Sequence, residues 1–360
     1  MMPKIVLFGA TGYTGRLIAE TLVGRGAAPV LAARNAAALE KLAADLGGAD
    51  TAVADVTDPD SVRALLGPGD VLISTVGPFL RYGSPALAAA VEAGAHYFDS
   101  TGEGPFIRTV FEHDDVARRA GVGLLTAFGY DYVPGNLAAG LALAEAPEAV
   151  RAEIGYFITD PGTSGGTRAS MAGMLFEGGF ALRGGRVVPE RTAARVRGFE
   201  VAGRELTGAS VPGSEHFALP RSYPQLRDAD VYLGMPGGAA HGLRVTSLLT
   251  GTLARIGPVR RLAESALTRI VKGSTGGPAA TARSRTRTWV VAEVSDAAGS
   301  NLASVTLTGG DPYDFTASIL AWGAQTALDG GLRGAGALGP VEAFGLEALT
   351  AGAAGAGLTR

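Results

Sequence analysis

The sequence predicts an α/β chain: a doubly wound parallel sheet completed by C-terminal helices, with an inserted α+β domain. Three observations support this. Short β-rich runs alternate with helical patterns from the N-terminus to about Phe128. Glycines recur at every third position in Gly9-Ala10-Thr11-Gly12-Tyr13-Thr14-Gly15, between an apolar run and a helical pattern. After Gly129 the rhythm becomes α+β, and a further helical stretch opens at Pro312.

In chain order, strands are expected at Lys4–Phe8, Pro29–Ala33, Thr51–Ala54, Val71–Thr75, His96–Asp99 and Val122–Ala127. Each is a short apolar or β-branched run bounded by turn residues. Helical patterns lie between them at Gly15–Leu22, Ala36–Leu46, Pro59–Leu66, Ser84–Ala93 and Glu112–Ala120. Six strands joined by right-handed crossovers place a ligand crevice beyond their carboxyl ends. In the insertion, Glu153–Ile158 alternates like a strand and Ser164–Leu182 reads as a helix. Arg285–Val294 and Ala303–Thr308 read as a hairpin turning at Gly299-Ser300-Asn301. Val245–Val271 reads as two amphipathic helices broken at Pro258, either a cover for a sheet or a lid touching a membrane or an acyl carrier. The helix from Pro312 to about Leu328 and the segment Val341–Leu349 are expected to pack back on the first domain. The domains are therefore 1–128 with 312–360, and 129–311.

At 360 residues the chain is long enough to bury two cores. Its net charge of −3 leaves no footprint for nucleic acid. With no cysteine, disulfides and thiolate chemistry are excluded. His96, His113, His216 and His241 do not fall at metal-ligand spacing, so no metal is expected and each reads as a surface or turn residue. No secretory signal is expected, and no uncharged apolar run reaches the roughly 18 residues of a spanning helix, so the expectation is a soluble, cytoplasmic protein.

The glycines bear on chemistry. A diphosphate can approach main-chain N–H groups only where no side chain intervenes, and a helix N-terminus adds partial positive charge to those donors. Gly9 would turn the chain after the first strand, Gly12 would lie under a diphosphate, and Gly15 would let the first helix pack closely on the sheet. The second strand ends Val30-Leu31-Ala32-Ala33-Arg34-Asn35. It lacks the acid that binds a ribose 2′-hydroxyl, and Arg34 offers a planar fork to a 2′-phosphate, so the expected cofactor is NADPH. Asp55 is placed to meet the adenine edge, or is an exposed turn acid. The fourth strand runs into Val76-Gly77-Pro78-Phe79, expected to wall the nicotinamide-ribose side with Phe79 toward substrate.

GATGYTG, AARN, TVGPF with a following YG, YFDSTGE and the C-terminal PVEAFGLEAL together resemble the saccharopine dehydrogenase-like oxidoreductases. The resemblance is greatest to the bacterial branch that includes trans-acting enoyl reductases of polyketide lipid pathways. Ser164-Gly165-Gly166-Thr167 is similar to a family segment, whereas DYVPGN departs from a D-S-x-P-S-D-like stretch in many relatives. The resemblance implies a Rossmann domain in which Gly9, Thr11, Gly12, Tyr13, Thr14, Gly15, Arg34, Asn35, Val76, Gly77 and Pro78 hold NADPH. Ala33 adjoins them. It also implies an inserted domain that covers the cleft and pairs subunits as a homodimer.

Hydride transfer requires the cofactor to be held against an acceptor, often with a proton donor. Lysine occurs only at Lys4, Lys41 and Lys272, so the Tyr-x-x-x-Lys pair of short-chain dehydrogenases is absent. Candidate donors are Tyr130, Asp131 and Tyr132. Tyr132 could equally be a packing aromatic, and Asp131 a turn or helix cap. Glu103 could order a rim loop or bind an amine; Arg168 could clamp a carboxylate or phosphate, or be a solvated helix residue. The expected activity is NADPH-dependent reduction of a C=C (enoyl) or C=N (imine) bond in a small, carrier-linked acyl or cyclic imine substrate, in a cleft between two domains. The alternatives are a saccharopine-type amino-acid dehydrogenase and a non-catalytic NADP-binding sensor or scaffold.

Overall fold

In the computed structural model, which describes residues 2–159, 162, 178–235, 238–253 and 276–360, the chain divides into two units. The first comprises Met1–Gly102, Phe106–Val133 and Pro312–Gly357, and the second Glu103–Pro105, Pro134–Asp311 and Leu358–Arg360.

The first unit is built on β1 (Ile5–Phe8), a four-residue apolar run buried at every position, as a central parallel strand covered on both faces must be. The strands β2 (Val30–Ala33), β3 (Thr51–Val53), β4 (Val71–Ser74), β5 (His96–Asp99) and β6 (Gly123–Leu125) join it. The order is Gly336–Ala337, β6, β5, β4, β1, β2, β3, all parallel, which is the doubly wound, Rossmann-like arrangement. Between the strands lie α1 (Tyr13–Gly24), α2 (Ala36–Asp45), α3 (Pro59–Arg63), α4 (Phe79–Ala93), α5 (Gly104–Glu112) and α6 (Asp114–Ala120). Gly94 and Gly121 end α4 and α6 in the left-handed conformation that stops a helix cheaply.

One face of this sheet is closed by a cluster that includes Val6, Phe8, Leu72, Leu87, Tyr97, Phe106 and Leu124. On another side the C-terminal helix Pro312–Leu328 packs beside α1, burying Phe315, Ile319 and Leu320. Phe128 meets Phe98 edge to face at 5.2 Å and Phe344 at 5.5 Å, contacts that tie the C-terminal segment to the end of β6.

Several boundaries differ from the sequence expectation. The helix expected from Ser84 begins at Phe79 and carries Pro85 within it. The expected Glu112–Ala120 helix is two, divided at His113, with α5 not foreseen.

The second unit starts with α7 (Val133–Glu145), whose first residue still groups with the first unit. Its strands are β7 (Arg151–Thr159), β8 (Phe180–Arg183), β9 (Arg186–Pro189), β10 (Val196–Val201), β11 (Arg204–Val211), β12 (Asp228–Gly234), β13 (Arg287–Ser295) and β14 (Asn301–Gly309). They form one mixed sheet, β10-β11-β12-β7-β13-β14 and then Leu358–Thr359, with β8 on β12 and β9 on β8. Its described helices are α8 (Glu215–Ser222), α9 (Ala239–Leu253) and α10 (Ala280–Arg283). Phe180–Leu182, expected to end a helix, are strand residues; the earlier part of that stretch, and all of Val245–Val271 after Leu253, lie outside the described residues. Arg197 bonds Glu153 at 2.7 Å and Glu293 at 2.6 Å while lying 4.7 Å from the Phe199 ring, linking β10 to β7 and β13. His216 is fully buried, contrary to the surface reading; burial lowers its pKa and favours the neutral ring.

Candidate functional site

At the end of β1 the chain turns at Gly9, whose φ of +93° suits glycine. A Cβ there would stand 2.5 Å from Thr75 Oγ1 and 3.1 Å from Val76 Cγ2. Gly15 is fixed by space alone: a Cβ would run into the Gly9 carbonyl oxygen and stand 2.9 Å from Ala10 Cα. The close approach is thus to the turn itself. Gly12 is different. Its φ of −72° suits any residue, and a Cβ would meet only the Gly9 oxygen, at 3.2 Å. A methyl group would press on that oxygen, yet far less than at Gly15, so packing demands glycine less at this exposed position, whereas a ligand approaching the backbone would demand it, and no side chain caps α1 there. The residues present therefore fit a diphosphate. Thr11 is exposed, Thr14 half-buried, and the half-buried Tyr13 ring meets Tyr313 edge to face at 5.1 Å.

Thr75, expected only to end the fourth strand, braces this turn. Its hydroxyl lies 3.2 Å from the Phe8 oxygen and 3.1 Å from the Gly9 oxygen.

At the end of β2, Ala33 is buried while Arg34 and Asn35 are exposed. The Asn35 side-chain oxygen accepts from the Ala38 N–H at 3.0 Å and so caps α2. Asp55 accepts from the Thr57 N–H at 2.8 Å and the Thr57 hydroxyl at 2.9 Å. These bonds are the main reason its pKa is lowered, and the charge of Arg34 acts in the same direction. Asp55 thus orders its own turn beside an exposed guanidinium. Val76 and Pro78 are half-buried and Gly77 is exposed, with a cis peptide between Gly77 and Pro78. Phe79 corrects the sequence reading: it is 6% exposed, and its ring packs 5.7 Å from Phe106 in the core, so it is a packing residue rather than a substrate contact.

Beyond β5 and β6 lies a buried polar cluster centred on the YFDSTGE stretch, whose individual roles the sequence did not assign. Asp99 Oδ1 accepts from the Thr101 N–H at 2.9 Å, the Thr126 hydroxyl at 3.1 Å and the Ala127 N–H at 2.8 Å. Its other oxygen is buried beside the Tyr97 hydroxyl, itself beside Ser74 Oγ, and none of these three atoms makes a well-formed hydrogen bond. Burial raises the Asp99 pKa to about 6 against the lowering effect of those donors, and raises Tyr97 as well. The Asp-x-Thr spacing was the available signal, since a side-chain oxygen bonding the N–H two residues on is an Asx turn.

The segment after β6 carries the three candidate donors. Tyr130 and Tyr132 are buried; Asp131 between them is exposed. The Tyr130 N–H donates to Thr316 Oγ1 at 3.0 Å, and the Tyr132 N–H to the Ala127 oxygen at 2.7 Å. The Asp131 carboxylate lies against Gly102, where a Cβ would be 3.0 Å from Oδ2. Although the side chain reaches solvent, the surrounding protein desolvates the carboxyl enough to raise its pKa to about 6. Glu103 is buried and groups with the second unit, and Arg168 lies outside the described residues. Among the described residues no group of three His, Cys, Asp or Glu side chains could hold a metal, and no helix is long and apolar enough to cross a membrane.

Sheet order and glycine turn together define a Rossmann-type dinucleotide-binding domain. Residues 5–123 match the saccharopine dehydrogenase NADP-binding domain, which makes NADP(H) the dinucleotide of that part of the chain. A trans-acting enoyl reductase of Mycobacterium leprae is 39% identical over 140 residues, 37% of this chain and 34% of the relative. A Mycobacterium tuberculosis protein provisionally named for the same activity is 36% identical over 187 residues, 48% of this chain and 44% of its own length. The matches therefore span between a third and a half of these relatives. Apo saccharopine dehydrogenase (L-Glu forming) of Saccharomyces cerevisiae shares the fold, with a TM-score of 0.59 at 14% identity over 97% of this chain and 96% of that one.

Proposed function

We propose that the chain is an NADPH-dependent reductase of a C=C (enoyl) or C=N (imine) bond in a biosynthetic intermediate. The observation that carries the reading is Gly12, a glycine that backbone angle does not demand, at an uncapped helix start. The names of the mycobacterial relatives favour the enoyl bond.

When bound, NADPH supplies the hydride. In this reading Gly9, Gly12 and the first turn of α1, with Thr11, Tyr13 and Thr14, take the diphosphate. Arg34 takes the 2′-phosphate beside Ala33 and Asn35, and Val76, Gly77 and Pro78 line the nicotinamide-ribose side. Asp131 is the proton donor among the three candidates, because the residue reaches the surface while its carboxylate lies against Gly102, where desolvation raises its pKa to about 6. Its proton goes to the atom of the double bond opposite the one that receives hydride, and solvent restores it.

Single-turnover oxidation of NADPH against a panel of enoyl thioesters and cyclic imines tests the proposal. Discharge by one class identifies the bond. Tight NADPH binding with no discharge by any acceptor would replace the reductase with a sensor.

A further inference from the structure

Two side chains outside the candidate donors fix the segment that carries them. Asp99, at the end of β5, receives the Thr126 hydroxyl and the Ala127 N–H on one oxygen, and with the same oxygen takes the Thr101 N–H one residue before Gly102. The ends of β5 and β6 are thereby joined through a single buried atom. Thr316, in the first turn of the C-terminal helix and 8% exposed, accepts the Tyr130 N–H. It also crowds Gly129, where a Cβ would stand 2.9 Å from its methyl group. In the same turn Phe315 meets the Tyr130 ring edge to face at 6.2 Å, and Tyr313 meets Tyr13 of the glycine turn. One helix end therefore touches both the donor segment and the start of α1.

We propose that Asp99 and Thr316 are positioning residues, anchoring the segment Thr126–Tyr132 from two sides so that the Asp131 carboxylate is held against Gly102. Neither need touch substrate. The anchor requires one acceptor oxygen from each side chain, and in Asp99 the oxygen that binds the donors is distinct from its second, buried oxygen. An amide at position 99 retains the acceptor and a serine at position 316 retains the hydroxyl. A methyl at 99 or an isopropyl at 316 removes them. The proposal rests on the reductase reading only for what the positioning serves.

The test pairs D99A with D99N and T316V with T316S, using hydrogen exchange of the full-length protein together with NADPH affinity. In D99A and T316V, exchange of the Ala127 and Tyr130 amides should accelerate at least tenfold, while peptides of α1 and the NADPH dissociation constant stay within about twofold. D99N and T316S should remain near the parent. If D99A fails to fold, T316V against T316S and D99N against the parent still decide. Equal acceleration in each conservative and disruptive variant, or no acceleration in T316V, would overturn the proposal. With an active acceptor, the disruptive variants should lower kcat at least tenfold with KM for NADPH unchanged. If no acceptor discharges NADPH in the parent yet the exchange pattern holds, the reductase reading fails and the anchoring stands.

Discussion

Arg34 stands exposed at the end of β2, where a chain selecting a free ribose 2′-hydroxyl would carry an acid. Hydrogen bonds between a guanidinium and a phosphate are charge-assisted and contribute about 1.5–3 kcal/mol each. R34A should therefore weaken NADPH roughly 10- to 150-fold and leave NADH within about twofold. Titration calorimetry with both dinucleotides measures this, and equal losses would remove Arg34 from the 2′-phosphate. Asp131 poses a question of protonation. Desolvation raises its carboxyl from the ordinary carboxylate range to about 6. An acid must hold its proton to act, so kcat should be level below pH 6 and fall about tenfold per unit above it. D131N should lose that limb along with about 100-fold or more of the rate, since general acid catalysis typically supplies at least this much. A kcat profile of D131N that still bends near pH 6 would assign the ionisation to another group.

Among the elements, the β1–α1 turn separates glycines needed for folding from one that the proposed function assigns to binding. At Gly15 a methyl group collides with the backbone of Gly9 and Ala10, whereas at Gly12 it meets a single oxygen at 3.2 Å. G15A should lower both the melting temperature and NADPH affinity; G12A should melt within a few degrees of the parent yet bind NADPH at least tenfold more weakly. Differential scanning fluorimetry and a fluorescence titration check the pair, and an intact affinity in G12A would move the diphosphate elsewhere. This turn was legible because its constraint is local: a continuous apolar strand, then a residue forced to positive φ. Strands such as Ile5–Phe8 and Val30–Ala33 were legible for a similar reason, each being an unbroken apolar run. The second unit was less legible. Gly184-Gly185 and Ala202-Gly203 each hold two successive positive φ angles and close two-residue hairpins, β8–β9 and β10–β11. The Gly-Gly turn signal is present in ALRGGRVV, but the helical reading of the preceding stretch ran up to it. The long-range bonds of Asp99 and Thr316 stayed hidden for a different cause: beyond the local Asp99–Thr101 bond, their partners Ala127 and Tyr130 lie 28 and 186 residues away, and short sequence spacing carries no trace of such bonds.

For the molecule as a whole, each unit carries its own core and its own polar ties. The first is organised on the parallel sheet and the glycine turn. The second contains Arg183, hydrogen-bonded to Glu190 at 2.9 Å and to Asp230 at 2.6 Å, with all three side chains mostly shielded. Removing the guanidinium leaves the two shielded carboxylates with only the half-exposed Arg195, 3.5 Å from Glu190 and 3.6 Å from Asp230. Breaking buried pairs costs about 3–5 kcal/mol, and this remaining partner and the residual exposure place the loss nearer the lower figure. NADPH acts on the first unit, where the Rossmann turn lies, and at a hundredfold excess over its dissociation constant it adds about 2.7 kcal/mol to the state that binds it. For a domain of this size each kcal/mol moves the midpoint by roughly 2–4 °C, so saturating NADPH should raise one calorimetric transition by roughly 5–10 °C. R183A should lower the other by a similar amount. The two perturbations acting on separate transitions would mean that each unit melts on its own core. If both instead shift one shared transition, the cofactor site stabilises the whole chain, and a mutation in the second unit reduces the fraction of protein able to bind NADPH at any temperature near the midpoint.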